Sequence, residues 1–301
     1  MAGRWTVVGA GRCGLQLARS MRQASVPLAA VVETDEAARR TARRWLGGVP
    51  VVGSRGPLPG SWAVLLAVPD RQVGPCAADL ASRLGPEVRV VLHTAGALTA
   101  EAMAALRSRR RRVGSFHPLM TFSRGGGALQ ALAGVSAAVE GDEAAVRAAM
   151  ALARRLDMRA FRLAAEARPL YHAAATVAAN LTSVLIASAC SELARLGSSR
   201  RWAGSALRPL VLQAVTATLA AGDLSRLTGP LVRGDADTVH THLEVLSPDL
   251  AAAYVEVARL AVRGLEKEGL ISPETAVALA RALTNPYACD SVGGVRSGEE
   301  G

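Results

Sequence analysis

The sequence predicts an α/β protein in which an N-terminal domain with a mostly parallel β-sheet is followed by an all-α domain. In the first half of the chain, short and nearly continuous apolar runs alternate with helical patterns. This alternation is typical of a parallel sheet that is buried on both faces. After Arg168 the strand pattern stops and only helical patterns follow. We therefore predict domains at residues 1–167 and 168–284, and a Gly-, Ser- and Glu-rich tail at 285–301 that is disordered.

The elements follow from the spacing of the apolar residues. The predicted strands are a run that begins at Trp5 and ends before Gly9, and the segments 26–32, 49–52, 62–68, 88–93, 113–116, 135–139 and 159–163. Helices are predicted directly after the first strand and at 142–156, 169–196, 208–221, 236–246, 248–268 and 273–283. The last of them begins with a serine cap, a proline and an acidic residue, which is a good helix start.

The first predicted strand ends in a glycine-rich turn, Gly9-x-Gly11-x-x-Gly14, and a helical pattern follows at once. In this strand–turn–helix context the pattern indicates dinucleotide binding. Gly9 permits the tight turn, Gly11 lets the backbone approach a pyrophosphate, and Gly14 lets the helix pack close to the strand. The N–H groups at the helix start, at Arg12 and Cys13, would face the phosphates. The alternative is an ordinary tight turn.

Ligands of such sheets bind beyond the carboxyl ends of the strands. Besides the glycine turn, this rule selects the following residues: Glu33 to Asp35, Val68 with Pro69 and Asp70, His93 to Gly96, and Ser115 to Pro118. Two of them, His93 and His117, are histidines at strand ends. Each is either a hydrogen-bonded structural imidazole or a functional group, and the position at the ligand edge favours function.

The formal net charge of +10 comes almost entirely from arginines that are spread along the chain among acidic residues. The one dense run, Arg107 to Arg112, precedes a strand and therefore lies at the edge of the sheet away from ligands. We interpret it as a solvated loop, with a phosphate or nucleic-acid contact as the alternative. Because no recognisable nucleic-acid-binding module accompanies the run, we predict no nucleic-acid partner.

The cysteines and the apolar stretches indicate the cellular compartment and whether the chain spans a membrane. Cys13, Cys76, Cys190 and Cys289 are far apart and lack metal-site spacing, so we predict no metal site and a reducing, cytoplasmic environment. No uninterrupted apolar stretch is expected to reach the length of a membrane span, and no signal-peptide pattern opens the chain. No membrane partner is therefore predicted.

Several stretches together carry a resemblance to a known family. They are Gly9-Ala-Gly-Arg-Cys-Gly14, Leu66-Ala-Val-Pro-Asp70, His93-Thr-Ala-Gly-Ala-Leu98, Ser115-Phe-His-Pro-Leu119 with Phe122, Tyr171-His-Ala-Ala-Ala175 with Asn180, and Leu227-Thr-Gly-Pro230 with Arg233-Gly-Asp235. The chain resembles the Rossmann-like proteins with a C-terminal DUF2520 domain, relatives of pyrroline-5-carboxylate reductase, 6-phosphogluconate dehydrogenase and ketopantoate reductase. The resemblance implies an NAD(P)-dependent oxidoreductase of a small-molecule substrate, with an all-α domain that completes the active site and usually dimerises.

The residues after the second strand bear on the choice of cofactor. Members of this superfamily that use NADP often carry Ser-Arg or Asn-Arg there, whereas this chain has Glu33-Thr34-Asp35. A carboxylate at Glu33 or Asp35 suits a ribose 2′-hydroxyl and repels a 2′-phosphate. Arg39 and Arg40 lie one turn further on and could still serve a phosphate. The cofactor is therefore NAD or NADP, with NAD favoured.

A second departure from the relatives concerns the residue that would supply the proton in the reaction. Several relatives place a catalytic lysine on the first helix of the α domain, but the only lysine of this chain is the distant Lys267. His172 occupies the comparable region, and Thr176 and Asn180 follow it at four-residue steps along the same predicted helix. Such a polar stripe indicates a site or an internally bonded packing feature. We interpret His172 as the proton donor, with His117 as the runner-up.

The predicted reaction is hydride transfer between a nicotinamide and a small 2-oxo or hydroxy acid, with ketopantoate as the best guess from the resemblance alone. Asn180 could fix the substrate or the nicotinamide amide by hydrogen bonds. Arg233 could hold a substrate carboxylate, or could instead pair with Asp235. The remaining candidate substrate residues are Ser115, Pro118, Thr176 and Asp235.

Two other functions stay open. One is reduction of a cyclic or open imine, and the other is a non-catalytic dinucleotide sensor, which the fold alone does not exclude.

A homodimer is also expected, because the helices after Arg168 carry more apolar positions than one buried face needs.

Overall fold

The computed structural model describes residues 3–54, 58, 60–122 and 132–283. The predicted tail at 285–301 lies outside these described residues. The chain divides into two compact units, Met1–Ala179 and Asn180–Gly301, so the second unit begins later than the predicted boundary at 167/168.

A sheet of eight strands, counted over the described residues, forms the centre of the first unit in the order β3-β2-β1-β4-β5-β6-β7-β8. The strands are β1 Trp5–Val8, β2 Leu28–Val32, β3 Val51–Val52, β4 Ala63–Leu66, β5 Val90–His93, β6 Arg112–Pro118, β7 Ser136–Gly141 and β8 Arg159–Arg162. Neighbouring strands are parallel except β6 and β7, which are antiparallel. The predicted mostly parallel sheet is confirmed. The order reverses between β1 and β4, where ligands of such sheets bind.

Helices pack on both faces of this sheet. They are α1 Arg12–Gln23, α2 Glu36–Leu46, α3 Asp70–Ala81 and α4 Glu143–Arg155. The unit also contains α5 Arg168–Thr176, of which only Arg168 is buried, and 3₁₀ turns at Ala100–Leu106 and Ala165–Ala167. Alternate residues of one strand supply two hydrophobic cores, since Leu65 lies in one while Val64 and Leu66 lie in the other. The near-continuous apolar strands of the sequence therefore reflect burial on both faces, as predicted.

Among its described residues, the second unit contains helices joined by loops and no strand. Its helices are α6 Thr182–Ala194, α7 Arg200–Ala221, α8 Pro230–Arg233, α9 Ala236–Val245, α10 Pro248–Lys267 and α11 Pro273–Ala282. The core is built from α9, α10 and α11, with Leu243, Leu265 and Leu279 almost fully buried. The prediction began α7 at 208, which is too late. Ser199 caps the helix by accepting a hydrogen bond from the Trp202 N–H, and Pro209 lies inside it without ending it.

The helix predicted at 169–196 is interrupted in the structure. A π-helical segment, Val177–Leu181, separates α5 from α6, and Asn180 lies within it. The regular four-residue steps from His172 to Asn180 are therefore not maintained, because a π-helix has a wider turn than an α-helix. By length and composition alone, the helical run Ala165–Ala194 could cross a membrane, which corrects the expectation that no stretch would reach that length. One such helix is weak support for a membrane protein, since a helix packed against a partner passes the same test.

Candidate active site

The glycine turn after β1 is shaped by two close backbone contacts. Gly9 has φ +98°, a backbone conformation that residues with a side chain rarely adopt, and its N–H donates to the Val32 carbonyl at 2.8 Å. A Cβ on Gly14 would lie 1.9 Å from the carbonyl oxygen of Gly9, so α1 packs directly on the turn. Gly11 is different, because a Cβ there would meet no atom within 4 Å. The turn is thus closed towards the sheet and open at Gly11.

The start of α1 can hold an anion. Gly11 is the residue before the helix, no side chain caps the helix there, and its first turn holds no acidic residue. The first N–H groups of a helix have no partners within it, and their dipoles favour negative charge. The Arg12 side chain donates to the Phe122 carbonyl at 2.5 Å, which ties the turn to the segment after β6. Burial raises the pKa of the Cys13 thiol to about 12, so this side chain stays protonated.

The carboxylate of Glu33 is held beside the glycine turn. Its Oε2 accepts a hydrogen bond from the Ala10 N–H at 2.7 Å, and its Oε1 accepts from the Asp35 N–H at 2.9 Å and from the Thr34 hydroxyl at 3.1 Å. Asp35 instead caps α2, where it accepts from the Ala38 N–H at 2.7 Å. Of the two predicted carboxylates, Glu33 is the one that is oriented towards the turn.

Arg39 is engaged by its own helix and by the end of β2. Its guanidinium donates to the carbonyls of Glu33 at 2.8 Å and Thr34 at 2.7 Å, and it forms an ion pair with Glu36. Arg40 is exposed. A 2′-phosphate would therefore have to displace Arg39 from these contacts or rely on a solvated arginine.

Val68 and Pro69 line the glycine turn from β4. The Cγ1 atom of Val68 would lie 3.2 Å from a Cβ on Gly9, and Pro69 is the residue before α3. Val68 therefore borders the turn, while Pro69 marks the start of α3.

His93 is fully buried, and backbone groups use both of its ring nitrogens. Nδ1 accepts from the Ala95 N–H at 3.2 Å, which leaves the proton on Nε2 to donate to the Thr99 carbonyl at 3.1 Å. Burial lowers the pKa of His93 to about 4. Its imidazole therefore organises the loop after β5, which is the structural alternative that the sequence left open.

A cluster of three rings lies where β6 and α5 meet. The Nδ1 atom of His117 and the hydroxyl of Tyr171 are 2.8 Å apart, and the two rings are in edge contact. The imidazole of His172 is also edge-on to His117, with 6.2 Å between the ring centroids. Burial lowers the pKa of His117 to about 4, assisted by the positive charge of Arg168. His117 is therefore neutral at pH 7.

Both imidazoles converge on Gly96 in the loop after β5. A Cβ on Gly96 would lie 2.5 Å from Nδ1 of His172 and 2.9 Å from Nε2 of His117. The Nδ1 atom of His172 is buried and has no hydrogen-bond partner among the described residues. A ligand that reached this position would find one unpaired nitrogen and a second ring nitrogen nearby.

Arg168, which sequence reasoning missed, holds this cluster together. Its side chain is fully buried and donates to the carbonyls of Ala95 at 3.3 Å and Gly96 at 3.1 Å. It also donates to the hydroxyl of Ser115. Because Ser115 is fully buried, its hydroxyl supports Arg168 and does not face a ligand. The guanidinium lies 3.7 Å from the carboxylate of Glu140. One side chain thus links α5 to the ends of β5 and β6.

Glu140 completes the network, because it also accepts from the Ala100 N–H at 2.9 Å. The sequence contains a signal that could have identified both Glu140 and Arg168 as buried charged residues. Glu140 follows three apolar residues of a predicted strand, and Arg168 opens an apolar helix just before Pro169. Charged residues in such apolar surroundings are rarely buried unless they are paired.

The other predicted substrate residues have local partners. Pro118 pairs with Ala137 at the end of β6, and the Thr176 hydroxyl donates to the His172 carbonyl at 2.9 Å. In the second unit, Asp235 caps α9 by accepting from the Thr238 N–H at 3.0 Å. The carboxylate of Asp235 lies 3.9 Å from the guanidinium of Arg233, which is the alternative weighed for this pair. Asn180 also belongs to the second unit.

The dense arginine run before β6 makes local contacts. Arg107 pairs with Glu101 at 2.8 Å and with Asp142 at 3.3 Å, and Arg111 donates to the Leu84 carbonyl at 3.2 Å. Among the described residues no group of three or more histidine, cysteine or acidic side chains could hold a metal ion.

The fold and the glycine turn define a Rossmann-like protein, and a family model for the Rossmann-like domain matches residues 3–118. A second family model, the domain of unknown function DUF2520, matches residues 135–261, from β7 into α10. The chain is therefore a Rossmann-like protein with a C-terminal DUF2520 domain, as the resemblance implied. No protein in the curated set matches the chain.

Solved structures share this fold at low identity. A protein described as an NADP oxidoreductase from Bacteroides fragilis is 18% identical, with a TM-score of 0.72 over 85% of this chain and 96% of that chain. A pyrroline-5-carboxylate reductase from Coxiella burnetii is 15% identical, with a TM-score of 0.56 over 94% and 98%. A semialdehyde dehydrogenase NAD-binding protein from Cupriavidus necator, in complex with calcium and NAD, is 21% identical, with a TM-score of 0.56 over 94% and 100%. By name all three are oxidoreductases, and two of the names include NADP or NAD.

The buried histidines predict a pH-dependent stability. His93 and His117 have folded-state pKa values of about 4, below the ordinary value of 6.5. Between these values the unfolded chain binds protons that the folded chain does not, so stability is complete above pH 6.5 and falls as the pH is lowered. Each histidine contributes a slope of at most about 1.4 kcal/mol per pH unit.

Urea unfolding between pH 7.5 and 4.5, followed by tryptophan fluorescence, checks this prediction. His93→Asn should unfold at lower urea but with a shallower dependence on pH than the wild type. His240→Asn, at an exposed position on α9, is the matched control. An unchanged slope in His93→Asn would contradict the assignment.

Proposed function

We propose that the protein is an NAD(P)-dependent oxidoreductase that transfers a hydride to or from a small 2-oxo or 2-hydroxy acid. The observation that carries the proposal is the glycine turn, which is closed towards the sheet, open at Gly11 and flanked by the uncapped start of α1. The ring cluster of His117, Tyr171 and His172 adds groups that can handle a proton. The names of the structural neighbours agree with this class of reaction.

The residues present fit a nicotinamide dinucleotide. The free N–H groups of α1 suit its pyrophosphate, and the carboxylate of Glu33 suits a ribose hydroxyl. The bound nicotinamide supplies or accepts the hydride. The chain has to bind the dinucleotide, orient the substrate and move one proton.

For the proton we favour His172. Its Nδ1 atom is unpaired and faces Gly96, whereas His117 is neutral at pH 7 because of its lowered pKa. A neutral imidazole can donate a hydrogen bond but is a poor acid. In reduction, His172 would give a proton to the substrate oxygen, and in oxidation it would take that proton back.

The choice of substrate class depends on which arginine can bind a substrate carboxylate. Arg168 is a poor candidate for binding a substrate carboxylate, because it is fully buried and its two terminal nitrogens already contact Ala95, Gly96, Ser115 and Glu140. Arg233 is exposed and keeps the carboxylate role proposed for it, and Asn180 keeps its role as a hydrogen-bond partner. A ketopantoate-like acid stays our best single proposal, with a pyrroline-carboxylate-like imine as the competing substrate.

The deciding experiment measures NADH and NADPH binding and then their oxidation across a panel of 2-oxo acids and cyclic imines. Gly11→Val should keep the wild-type melting temperature, since a Cβ at Gly11 meets no atom within 4 Å, but should bind NADH at least about tenfold more weakly. Gly204→Val is the matched control, because a Cβ on Gly204 meets only Cys190 Sγ at 3.9 Å. Unchanged affinity in Gly11→Val would refute the cofactor site. Binding without turnover of any substrate would favour a sensor.

Cofactor preference tests the orientation of Glu33. We propose that NADH binds more tightly than NADPH, because Glu33 is aimed at the glycine turn while Arg39 is engaged elsewhere. Glu33→Ser combined with Thr34→Arg should move the preference towards NADPH, since it removes a repulsion and adds a phosphate partner. Titration of both variants with both cofactors gives the ratio. A wild type that prefers NADPH would contradict the proposal.

His172→Ala should lower turnover by roughly 10²–10⁴, the usual share of general acid–base catalysis, and should leave NADH binding nearly unchanged. A merely structural histidine would instead lower the melting temperature and leave turnover per folded molecule intact. The two quantities are therefore measured on the same preparation. Near wild-type turnover in the folded variant would transfer the role to His117.

We also propose that the protein is a homodimer through its second unit. No residue of α6 is buried, and large apolar side chains of this unit are exposed, with Leu196 80% and Leu219 78% exposed. A cavity of about 1140 Å³, lined mainly by α6, α7, α9 and α10, is mostly apolar, although Glu192 and Arg195 are among its lining residues. Exposed apolar surface on this scale marks an interface, and a two-fold copy is the commonest partner.

Light scattering at micromolar concentrations should give twice the chain mass of 31.1 kDa. Leu210→Glu, in the cavity wall, should shift the protein towards monomer, while Val277→Glu, exposed on α11, should not. A monomeric wild type that floats with lipid vesicles would assign the apolar surface to a membrane instead.

A further inference from the structure

The ring cluster contains a residue whose role the proposed function leaves open, Tyr171. Its hydroxyl has one hydrogen-bond partner among the described residues, Nδ1 of His117 at 2.8 Å. The ring of Tyr171 is fixed on both sides by edge contacts, with centroids 5.6 Å from His117 and 6.0 Å from Phe161. The hydroxyl is therefore held in one place.

The direction of this hydrogen bond decides where the proton of His117 sits. A neutral imidazole carries one N–H, and the other nitrogen is an acceptor. If the Tyr171 hydroxyl donates to Nδ1, the proton must be on Nε2. If Nδ1 donates to Tyr171, Nε2 is a bare acceptor and the phenolic hydrogen is left without a partner among the described residues. The first arrangement leaves one group without a hydrogen-bond partner among the described residues, the Nε2–H of His117, whereas the second leaves two, the phenolic hydrogen and Nε2. The first is therefore favoured.

The position of Nε2 gives this choice a functional meaning. Nε2 of His117 and Nδ1 of His172 both approach Gly96 so closely that a Cβ there would lie 2.9 Å and 2.5 Å from them. An Nε2–H group would present a donor at this place, next to the unpaired nitrogen of His172.

We propose that Tyr171 is a positioning residue, which donates to Nδ1 of His117 and thereby fixes His117 as its Nε2–H tautomer facing Gly96. The catalytic consequence rests on the proposed function. His117 then binds the substrate oxygen as a neutral hydrogen-bond donor, while His172 exchanges the proton. The lowered pKa of His117 and the raised pKa of Tyr171, both caused mainly by burial, agree with two neutral partners at pH 7.

Side-chain ¹H–¹⁵N spectra of ¹⁵N-histidine-labelled protein test the tautomer directly, and only five histidines contribute signals. In the wild type, His117 should show a protonated Nε2 and an unprotonated Nδ1. In Tyr171→Phe, which keeps the ring and its edge contacts, His117 should become a mixture of the two tautomers. His117→Asn assigns the signals.

The chain offers a matched control in the second unit. His242 and Tyr254 form a similar pair, with Nδ1 and the hydroxyl 3.2 Å apart and the ring centroids at 5.8 Å. Tyr254→Phe should change the signals of His242 and leave those of His117 unchanged. Turnover should fall by about tenfold in Tyr171→Phe, roughly the effect of one lost hydrogen bond, with NADH affinity unchanged.

A wild-type His117 that is protonated on Nδ1, or a Tyr171→Phe spectrum that equals the wild-type spectrum, would overturn the proposal. These spectra do not depend on turnover, so they decide the tautomer even if the protein reduces no substrate. Conversely, an active Tyr171→Phe enzyme with wild-type turnover would refute the catalytic consequence while the oxidoreductase assignment stood.

Discussion

The candidate site depends on one buried charge, the guanidinium of Arg168. Its hydrogen bonds reach the carbonyls of Ala95 and Gly96, which come directly after β5, and the hydroxyl of Ser115 on β6. A buried cation is costly unless it is paired and hydrogen-bonded, and Glu140 at 3.7 Å supplies the opposite charge. Since Arg168 is the first residue of α5, the same contacts fix the helix that carries Tyr171 and His172.

The charge of Arg168 also acts on the chemistry of its neighbours. It lowers the pKa values of His93 and His117 beyond the effect of burial, because a nearby cation disfavours a second positive charge. Both histidines are therefore kept neutral. The structural and the electrostatic contributions of Arg168 cannot be separated by its removal, since Glu140 would then remain as an unpaired, largely buried carboxylate.

Sequence reasoning located the fold and much of the edge of the sheet, because those features depend on local patterns. The glycine turn, the apolar strands and the strand ends are each encoded within a few neighbouring residues. Arg168 was missed because its partners lie 28 to 73 residues away in the sequence, and only the sheet brings them together. The π-helical segment at Val177–Leu181 was missed because its residues also fit a regular apolar helix. The sequence also did not show that Glu33 faces the glycine turn while Asp35 caps α2, since both residues follow the same strand.

The histidines show why residue type and strand position do not determine a role. His93 and His117 end neighbouring parallel strands and looked equivalent in the sequence. In the structure, the Ala95 N–H and the Thr99 carbonyl occupy both nitrogens of His93, whereas His117 meets a tyrosine through one nitrogen and approaches Gly96 with the other. An imidazole with both nitrogens bound to backbone cannot bind a ligand without breaking the loop it supports. The difference therefore comes from the residues that follow each strand, and it is why our proposal assigns the proton chemistry to the histidines that face Gly96.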